Sequence, residues 1–396
     1  MTSRPLSVLF FSNSTVRGGA EEHILQLLER LDRRTFSLHL ACTPEMARLL
    51  EKNLPADVKV ARLTLDSPKD ITGARELGRV LRKWKIDILH SHLFRASLFA
   101  SPVGWFCRVP VIIETPHLRE TWRKGWLKSN FYIDRLAGLF VDRYIAVSEA
   151  NARYLVEQKR IPASKVTVIQ NGCPLDRIDR AIANPAGIRE RLGFGKDDVV
   201  LIVVGRLEPQ KGHRILLQAM ASFLRGRLPQ LRLVCAGTGA LQNELEKMAE
   251  NLNLSDVVRF VGFQSNVADW LAMADIGVLP SFYEGLPLTA IESLAARLPL
   301  IATAVDGTPE VVVNGETGLL IPPGDPKALA DAIALLALNA DLRSKLALAG
   351  VRWVQERFTI QRQIGETEKL YLAEWKKRAK KKLQAPCEEA VRAGQH

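Results

Sequence analysis

Cysteine is scarce: Cys42, Cys107, Cys173, Cys235 and Cys387 are scattered over 396 positions without C-x-x-C spacing. That argues against a disulfide framework and a thiolate zinc site, and the thiols read as small buried hydrophobes. No apolar run reaches the ~18 residues that a membrane-spanning helix needs. The stretch Met1–Phe11 has one Arg and a short β-like run, without the longer apolar core and small-residue cleavage site of a secretory signal. A cytoplasmic location is expected. There is no D-x-D and no G-x-x-x-x-G-K-[ST] phosphate loop. Gly237-Thr238-Gly239-Ala240 begins like a dinucleotide fingerprint, but Gln242 stands where a third glycine belongs, which weakens an oxidoreductase reading.

What is present is ordinary in bulk: 47% hydrophobic and 25% charged residues, in a chain long enough for two domains with full cores. The charge is uneven. Residues 1–175 hold 27 Lys and Arg against 17 Asp and Glu, a net +10; the remainder holds 28 against 26, a net +2. A basic half suggests an anionic partner, whether nucleic acid, a membrane surface or a phosphorylated substrate. No nucleic-acid recognition motif accompanies the charge, so nucleic acid is not expected.

Short β-rich runs alternate with helix-period segments. Ser7–Phe11, Ser37–Cys42, Val58–Leu63, Ile86–His90, Val111–Thr115, Tyr144–Val147 and Val166–Ile169 read as strands of the first half. Glu21–Leu31, Ala74–Trp84 and Ala150–Gln158 read as helices between them. In the second half Val199–Val204, Leu231–Ala236, Val257–Val261, Ile276–Leu279 and Leu300–Thr303 are near-continuous apolar runs, as expected of strands buried on both faces. This rhythm predicts an α/β protein of two doubly wound, Rossmann-like domains, with ligands at the carboxyl ends of the strands, in a cleft that both sheets face. Turn chemistry at Asn171-Gly172-Cys173-Pro174 and a polar stretch to Gly195 place the break near residues 172–190. The expected parts are a first domain over 1–175, a second over 186–358, and a C-terminal helix and basic tail over 359–396. The chain from Pro326 reads as helical throughout, with Ile360–Lys382 expected to cross back to the first domain. The run Lys376–Lys382 reads as solvated, disordered charge.

Four motifs follow strands. Gly18-Gly19 opens a helix, where paired glycines admit a ligand to the backbone and a helix N-terminus favours an anion; a tight strand-to-helix turn explains it equally well. Gly205-Arg206 with Lys211-Gly212 offers a guanidinium fork and a compact cation on one loop, able to clamp a diphosphate; a solvated charged turn is the alternative. The Gly237 turn is the third. The most informative is Ser281-Phe282-Tyr283-Glu284-Gly285-Leu286-Pro287-Leu288, leading to Glu292. There backbone N–H groups near the start of a helix face a phosphate, a helix carboxylate can take a ribose diol, and a loop carboxylate can hold sugar hydroxyls. His90 and His92 end a strand, with a structural or a substrate role equally open.

Gly205-Arg206, Lys211-Gly212 and Glu284-x7-Glu292 resemble the retaining GT-B glycosyltransferases of family 4. Gly18-Gly19-Ala20-Glu21, Thr115-Pro116-His117, Val147-Ser148, Asn171-Gly172, Val261-Gly262-Phe263 and Asn314-Gly315-x2-Gly318 agree in order, so the resemblance covers nearly the whole chain. The resemblance implies that Arg206 and Lys211 neutralise a donor diphosphate, that Glu292 binds its ribose, and that Glu284 contacts the transferred sugar. It places Gly18 and Gly19 near the donor phosphates or sugar, His117 at the sugar, and Phe263 beside the nucleobase. Gly205, Gly285, Leu286, Pro287 and Leu288 line the donor. It further implies front-face displacement without metal or cofactor, the leaving phosphate taking the acceptor proton. Glycosidases set two carboxyls about one scissile bond, whereas these two are assigned to different parts of the donor. The implied partners are a nucleotide-sugar and a glycan or lipid-linked acceptor, in cell-surface polysaccharide, lipopolysaccharide or glycolipid synthesis.

The segment Arg119–Tyr132 interleaves Arg119, Arg123, Lys124 and Lys128 with Trp122, Trp126, Phe131 and Tyr132, a composition of interfacial helices. It is a candidate contact with an anionic membrane surface, against a connecting helix with packed aromatics and solvated cations. Other readings of the chain are a GT-B phosphorylase or epimerase and a non-catalytic GT-B-shaped binding protein. The joint presence of Arg206, Lys211, Glu284 and Glu292 weighs against the last.

Overall fold

The apolar runs become two wholly parallel sheets. The computed structural model describes residues 4–63, 70–120, 131–183 and 187–393. Strands β1 (Leu6–Ser12), β2 (Phe36–Cys42), β3 (Lys59–Arg62), β4 (Ile88–His92), β5 (Val111–Thr115), β6 (Arg143–Ala146) and β7 (Val166–Val168) form one sheet in the order β3-β2-β1-β4-β5-β6-β7. Strands β8 (Val199–Val204), β9 (Leu231–Ala236), β10 (Val258–Gly262), β11 (Ile276–Leu279), β12 (Leu300–Thr303) and β13 (Gly318–Ile321) form the other, in the order β10-β9-β8-β11-β12-β13. Connecting helices cover both faces, which is why every residue of β1 and nearly all of β8 is buried. Each fully buried leucine, such as Leu201 or Leu217, contributes about 1.5–3 kcal/mol by leaving water.

By its contacts the chain divides into two compact units, Met1–Ile169 with Gln363–His396, and Gln170–Arg362. In each sheet the strand order reverses once, beside β1 and β4 in the first unit and beside β8 and β11 in the second. Loops leaving the carboxyl ends of strands at such a reversal diverge and leave a crevice for ligands. That places the loops after β1, β8 and β11 where the motifs fall.

Several elements differ from expectation. β4 runs two residues later than Ile86–His90. Lys85 takes φ 49°, Ile86 N–H donates back to the Leu81 carbonyl at 3.0 Å, and pairing begins only at Ile88 opposite Val8. β13 is missing from the expectation, because four residues between an Asn-Gly turn and a Pro pair carry little period-two signal. The chain after Pro326 is helical as expected, in three helices: Pro326–Leu338, Ala340–Arg357 and Ile360–Ala393. Asn339 interrupts it by capping the second, its side chain accepting the Leu342 N–H at 2.9 Å.

The last helix returns to the first unit. Tyr371 is fully buried there, its ring edge-on to Phe36 and its hydroxyl 2.6 Å from His90 Nδ1. Glu368 accepts the Asp32 N–H at 2.8 Å, and Glu374 pairs with Arg143. The basic run 376–382, expected to be disordered, continues this helix, as Lys, Arg and Ala all favour helix.

Candidate active site

Two loops of the second unit are stitched together. Gly205 leaves β8 and Gly212 ends its loop at φ 67°; a Cβ there would lie 2.0 Å from the Pro280 carbonyl oxygen, so only glycine permits the approach. Phe282 N–H donates to the Gln210 carbonyl at 2.8 Å, and Gln210 Nε2 donates to the Tyr283 carbonyl at 2.8 Å. This brings Lys211 against the loop after β11. Its Nζ lies 2.6 Å from Glu284 Oε1, with Glu284 5% exposed. Arg206, half-buried on the same loop, has no ion-pair partner among the described residues. A guanidinium held without a counter-ion beside a cation neutralised by a single carboxylate is a seat for an anion carrying more than one charge.

The Glu284 N–H donates to Asp306 Oδ2 at 3.0 Å, and Asn171 Nδ2 donates to the Leu286 carbonyl at 2.9 Å. Gly285, Leu286 and Pro287 then lead into the helix Leu288–Ala295, whose first N–H groups lack intrahelical acceptors. Glu292, half-buried, is the fifth residue of that helix. On the other side of Gly205 the strand ends are continuous. Gly205 N–H bonds to the Ala236 carbonyl at 3.0 Å and Gly237 N–H to the Gly262 carbonyl at 2.8 Å. Phe263 follows with its ring 51% exposed. Arg206, the buried Lys211–Glu284 pair, the helix start and the exposed Phe263 thus lie along the carboxyl edge of one sheet. His213, next to Lys211, is held neutral by burial, its pKa lowered to about 4.

In the first unit Gly18 caps the helix Gly19–Arg30 and Glu21 closes the loop, Oε2 accepting the Gly18 N–H at 3.0 Å. Burial raises the Glu21 pKa. A Cβ at Gly19 would meet nothing within 4 Å, so the protein's own packing does not require glycine there. His117 joins a buried histidine cluster: its Nε2 lies 3.0 Å from His92 Nδ1, its ring stacks on His92 and meets His23 edge-on. Burial first, then neighbouring histidines, hold His90, His92 and His117 well below the usual imidazole range. His90 and His92 are fully buried in β4; His90 bonds Thr115 Oγ1 at 2.7 Å as well as Tyr371. Trp122, Arg123, Lys124, Trp126 and Lys128 lie outside the described residues.

Residues 17–177 match the family model Glycosyltransferase Family 4, and residues 186–353 match Glycosyl transferases group 1. EpsD of Bacillus subtilis, which bears the name of a glycosyltransferase, is 30% identical over 77% of this chain and 81% of its own length. The chain belongs to this glycosyltransferase family. The UDP-Gal:α-D-GlcNAc-diphosphoundecaprenol α-1,3-galactosyltransferase of Escherichia coli is 26% identical over 80% of this chain and 84% of that protein. Anabaena Alr3699/HepE, solved with UDP and glucose, superposes with a TM-score of 0.80 at 21% identity, covering 93% of this chain and 100% of that one. The fold of this glycosyltransferase is therefore GT-B, built from two Rossmann-like sheets. In the sequence Asn171 reads only as part of a turn and a family motif, and Gln210, Asp306 and His23 do not stand out. What they do is bind backbone and other side chains across long sequence separations, which leaves no local spacing to detect.

Proposed function

We propose that this glycosyltransferase moves a sugar from a nucleoside-diphosphate sugar to an acceptor hydroxyl with retention at the anomeric carbon, in cell-surface polysaccharide, lipopolysaccharide or glycolipid assembly. The observation that carries the donor assignment is the loop pair of the second unit: Arg206 with no ion-pair partner among the described residues, Lys211 paired with Glu284, and a helix start at Leu288. A diphosphate supplies the charges this seat lacks. Arg206, Lys211 and the helix N–H groups stabilise the charge that builds on the leaving diphosphate as the C1–O bond lengthens. Glu292 takes the ribose diol, Phe263 flanks the base, and Glu284 holds the sugar. The acceptor oxygen bonds C1 on the face the diphosphate leaves, and the acceptor proton passes to a departing phosphate oxygen. Positive charge comes from side chains and backbone, so the reaction proceeds without metal or cofactor.

The Escherichia coli relative is named for a UDP-sugar donor and a diphosphoundecaprenol-linked acceptor, which supports a lipid-linked acceptor for this chain. No helix among the described residues is long and apolar enough to cross a membrane. A peripheral contact with an anionic membrane surface, on the cytoplasmic face, is supported by exposed Trp105, Phe106, Tyr132, Leu136 and Leu139 in the basic first unit.

The test is release of nucleoside diphosphate from a panel of nucleotide-sugars, with and without extracts of undecaprenyl-linked glycans. Acceptor-dependent release with one donor supports the reading. Release into inorganic phosphate alone, or from no donor, ends it.

A further inference from the structure

The peptide joining Tyr283 to Glu284 is gripped at both polar ends. Gln210 Nε2 donates to the Tyr283 carbonyl at 2.8 Å, and the Glu284 N–H donates to Asp306 Oδ2 at 3.0 Å. The Glu284 side chain is fixed at its far end by Lys211 Nζ, 2.6 Å away. A peptide plane with both groups engaged cannot rotate without breaking two hydrogen bonds in a partly desolvated place. A carboxylate anchored at its backbone and its tip has one orientation left.

Asp306 holds an unfavourable backbone to make this contact. Its φ is 44°, in the left-handed region that suits glycine. Gly307 follows at φ −81° and ψ −1°, and Thr308 N–H closes the turn on the Val305 carbonyl at 2.9 Å. A positive φ followed by that pair is a primed turn, whose first central position favours glycine. As a turn alone, this site is better served by glycine. What aspartate adds is an acceptor for the Glu284 N–H. Strained residues kept at a ligand site commonly serve the site rather than the fold.

The consequence depends on the donor. In the free protein Lys211 anchors the tip of Glu284. A diphosphate competes for the same ammonium, so the tip anchor weakens when the donor arrives. The hold that remains on Glu284 is the clamp on its peptide. We propose that Asp306 is a positioning residue which, with Gln210, keeps the Glu284 carboxylate directed at the transferred sugar once the diphosphate has engaged Lys211. The proposal rests on the donor assignment above and names what makes Glu284 competent. The effect falls on turnover, not on diphosphate affinity or folding.

The experiment compares wild type with Asp306→Gly, Asp306→Asn and Gln210→Ala in the full chain. Glycine relieves the local backbone and offsets part of the lost hydrogen bond, so Asp306→Gly is expected to fold with a Tm within a few degrees of wild type. Substrate is whichever of UDP-glucose, UDP-galactose, UDP-N-acetylglucosamine, GDP-mannose and ADP-glucose the wild type turns over fastest. Expected for Asp306→Gly is a kcat lower by about 10- to 100-fold, with KM and the Kd of the matching nucleoside diphosphate within about threefold. Asp306→Asn, which keeps an acceptor oxygen, recovers most of kcat; Gln210→Ala repeats the split between kcat and Kd. Deuterium exchange at the Glu284 amide accelerates in Asp306→Gly. A wild-type kcat in Asp306→Gly overturns the proposal. So does a nucleoside-diphosphate affinity that falls in step with kcat, or a failure of Asp306→Asn to rescue. A wild type that binds none of the nucleoside diphosphates defeats the donor assignment itself, and is recognised without any variant.

Discussion

Lys211 and Glu284, 73 positions apart in sequence, form an ion pair with 2.6 Å between Nζ and Oε1, and both side chains are largely withdrawn from solvent. Removing either partner leaves the other unbalanced, yet the two changes have opposite effects on an incoming anion. Lys211→Ala strands a carboxylate and is expected to lower stability by about 1–3 kcal/mol and to abolish thermal stabilisation by nucleoside diphosphate. Glu284→Gln releases the ammonium and is expected to keep or strengthen diphosphate binding while turnover falls. Thermal shift and calorimetric titration of both variants check the contrast; equal loss of binding in the two would refute it.

Arg206 supplies the complementary case. With no ion-pair partner among the described residues, its removal breaks no ion pair there, and Arg206→Ala should unfold within about 0.5 kcal/mol of wild type. Diphosphate affinity should nevertheless fall at least tenfold. Urea denaturation beside a binding titration separates the two effects.

Acid should destabilise the first unit. His90, His92 and His117 are depressed well below 6.5, and His39 to about 4. The unfolded chain protonates these rings near pH 6.5 while the folded unit keeps them neutral. Their contribution is therefore complete above that pH and lost as pH falls below it, at about 1.4 kcal/mol per pH unit and ring. Glu114 acts oppositely, since burial raises its carboxyl to about 7 and it gains stability as pH falls from 7 to its unfolded value. Glu21, also raised, adds to that. Four rings against two carboxyls leave a net loss. Calorimetric melting between pH 7.5 and 5 should show Tm declining below 6.5, and a flat profile would contradict the sign.

Tyr371→Phe removes the hydroxyl that lies 2.6 Å from His90 Nδ1 and keeps the buried ring. A loss of about 1–2 kcal/mol is expected, with nucleoside-diphosphate affinity unchanged because the donor loops belong to the other unit. Tyr371→Ala, which also empties the core, should cost about 3–5 kcal/mol.

Membrane contact predicts that the chain cosediments with vesicles containing anionic lipid and leaves them at high salt. Exchanging Trp105, Phe106 and Leu136 for Glu should abolish cosedimentation while turnover of a soluble acceptor persists. Undiminished binding by that triple variant would remove this surface from consideration.

The parallel sheets were readable because strands covered on both faces must be apolar almost throughout, as in Val199–Val204. The limits appear where tertiary pairing decides. β4 begins at Ile88 because its register against β1 does, and nothing local to Ile86 announces that. Arg206, Lys211, Glu284 and Glu292 stand out in the sequence as charge beside glycine after apolar runs, and the tasks proposed for them come from the family resemblance. Asp306 was not: an aspartate in a turn is commonplace, and its significance lies in a positive φ and in a peptide 22 positions away.

The returning C-terminal helix has a consequence for synthesis. Residues 170–362 form a unit complete in itself, whereas the first unit lacks Tyr371 until 281 further residues beyond His90 have left the ribosome. The part of the enzyme made first is thus the part finished last. Until then Phe36 and His90 stay uncovered by Tyr371 on a nascent chain, and a stop just after Arg362 leaves the second unit whole and the first one unfinished.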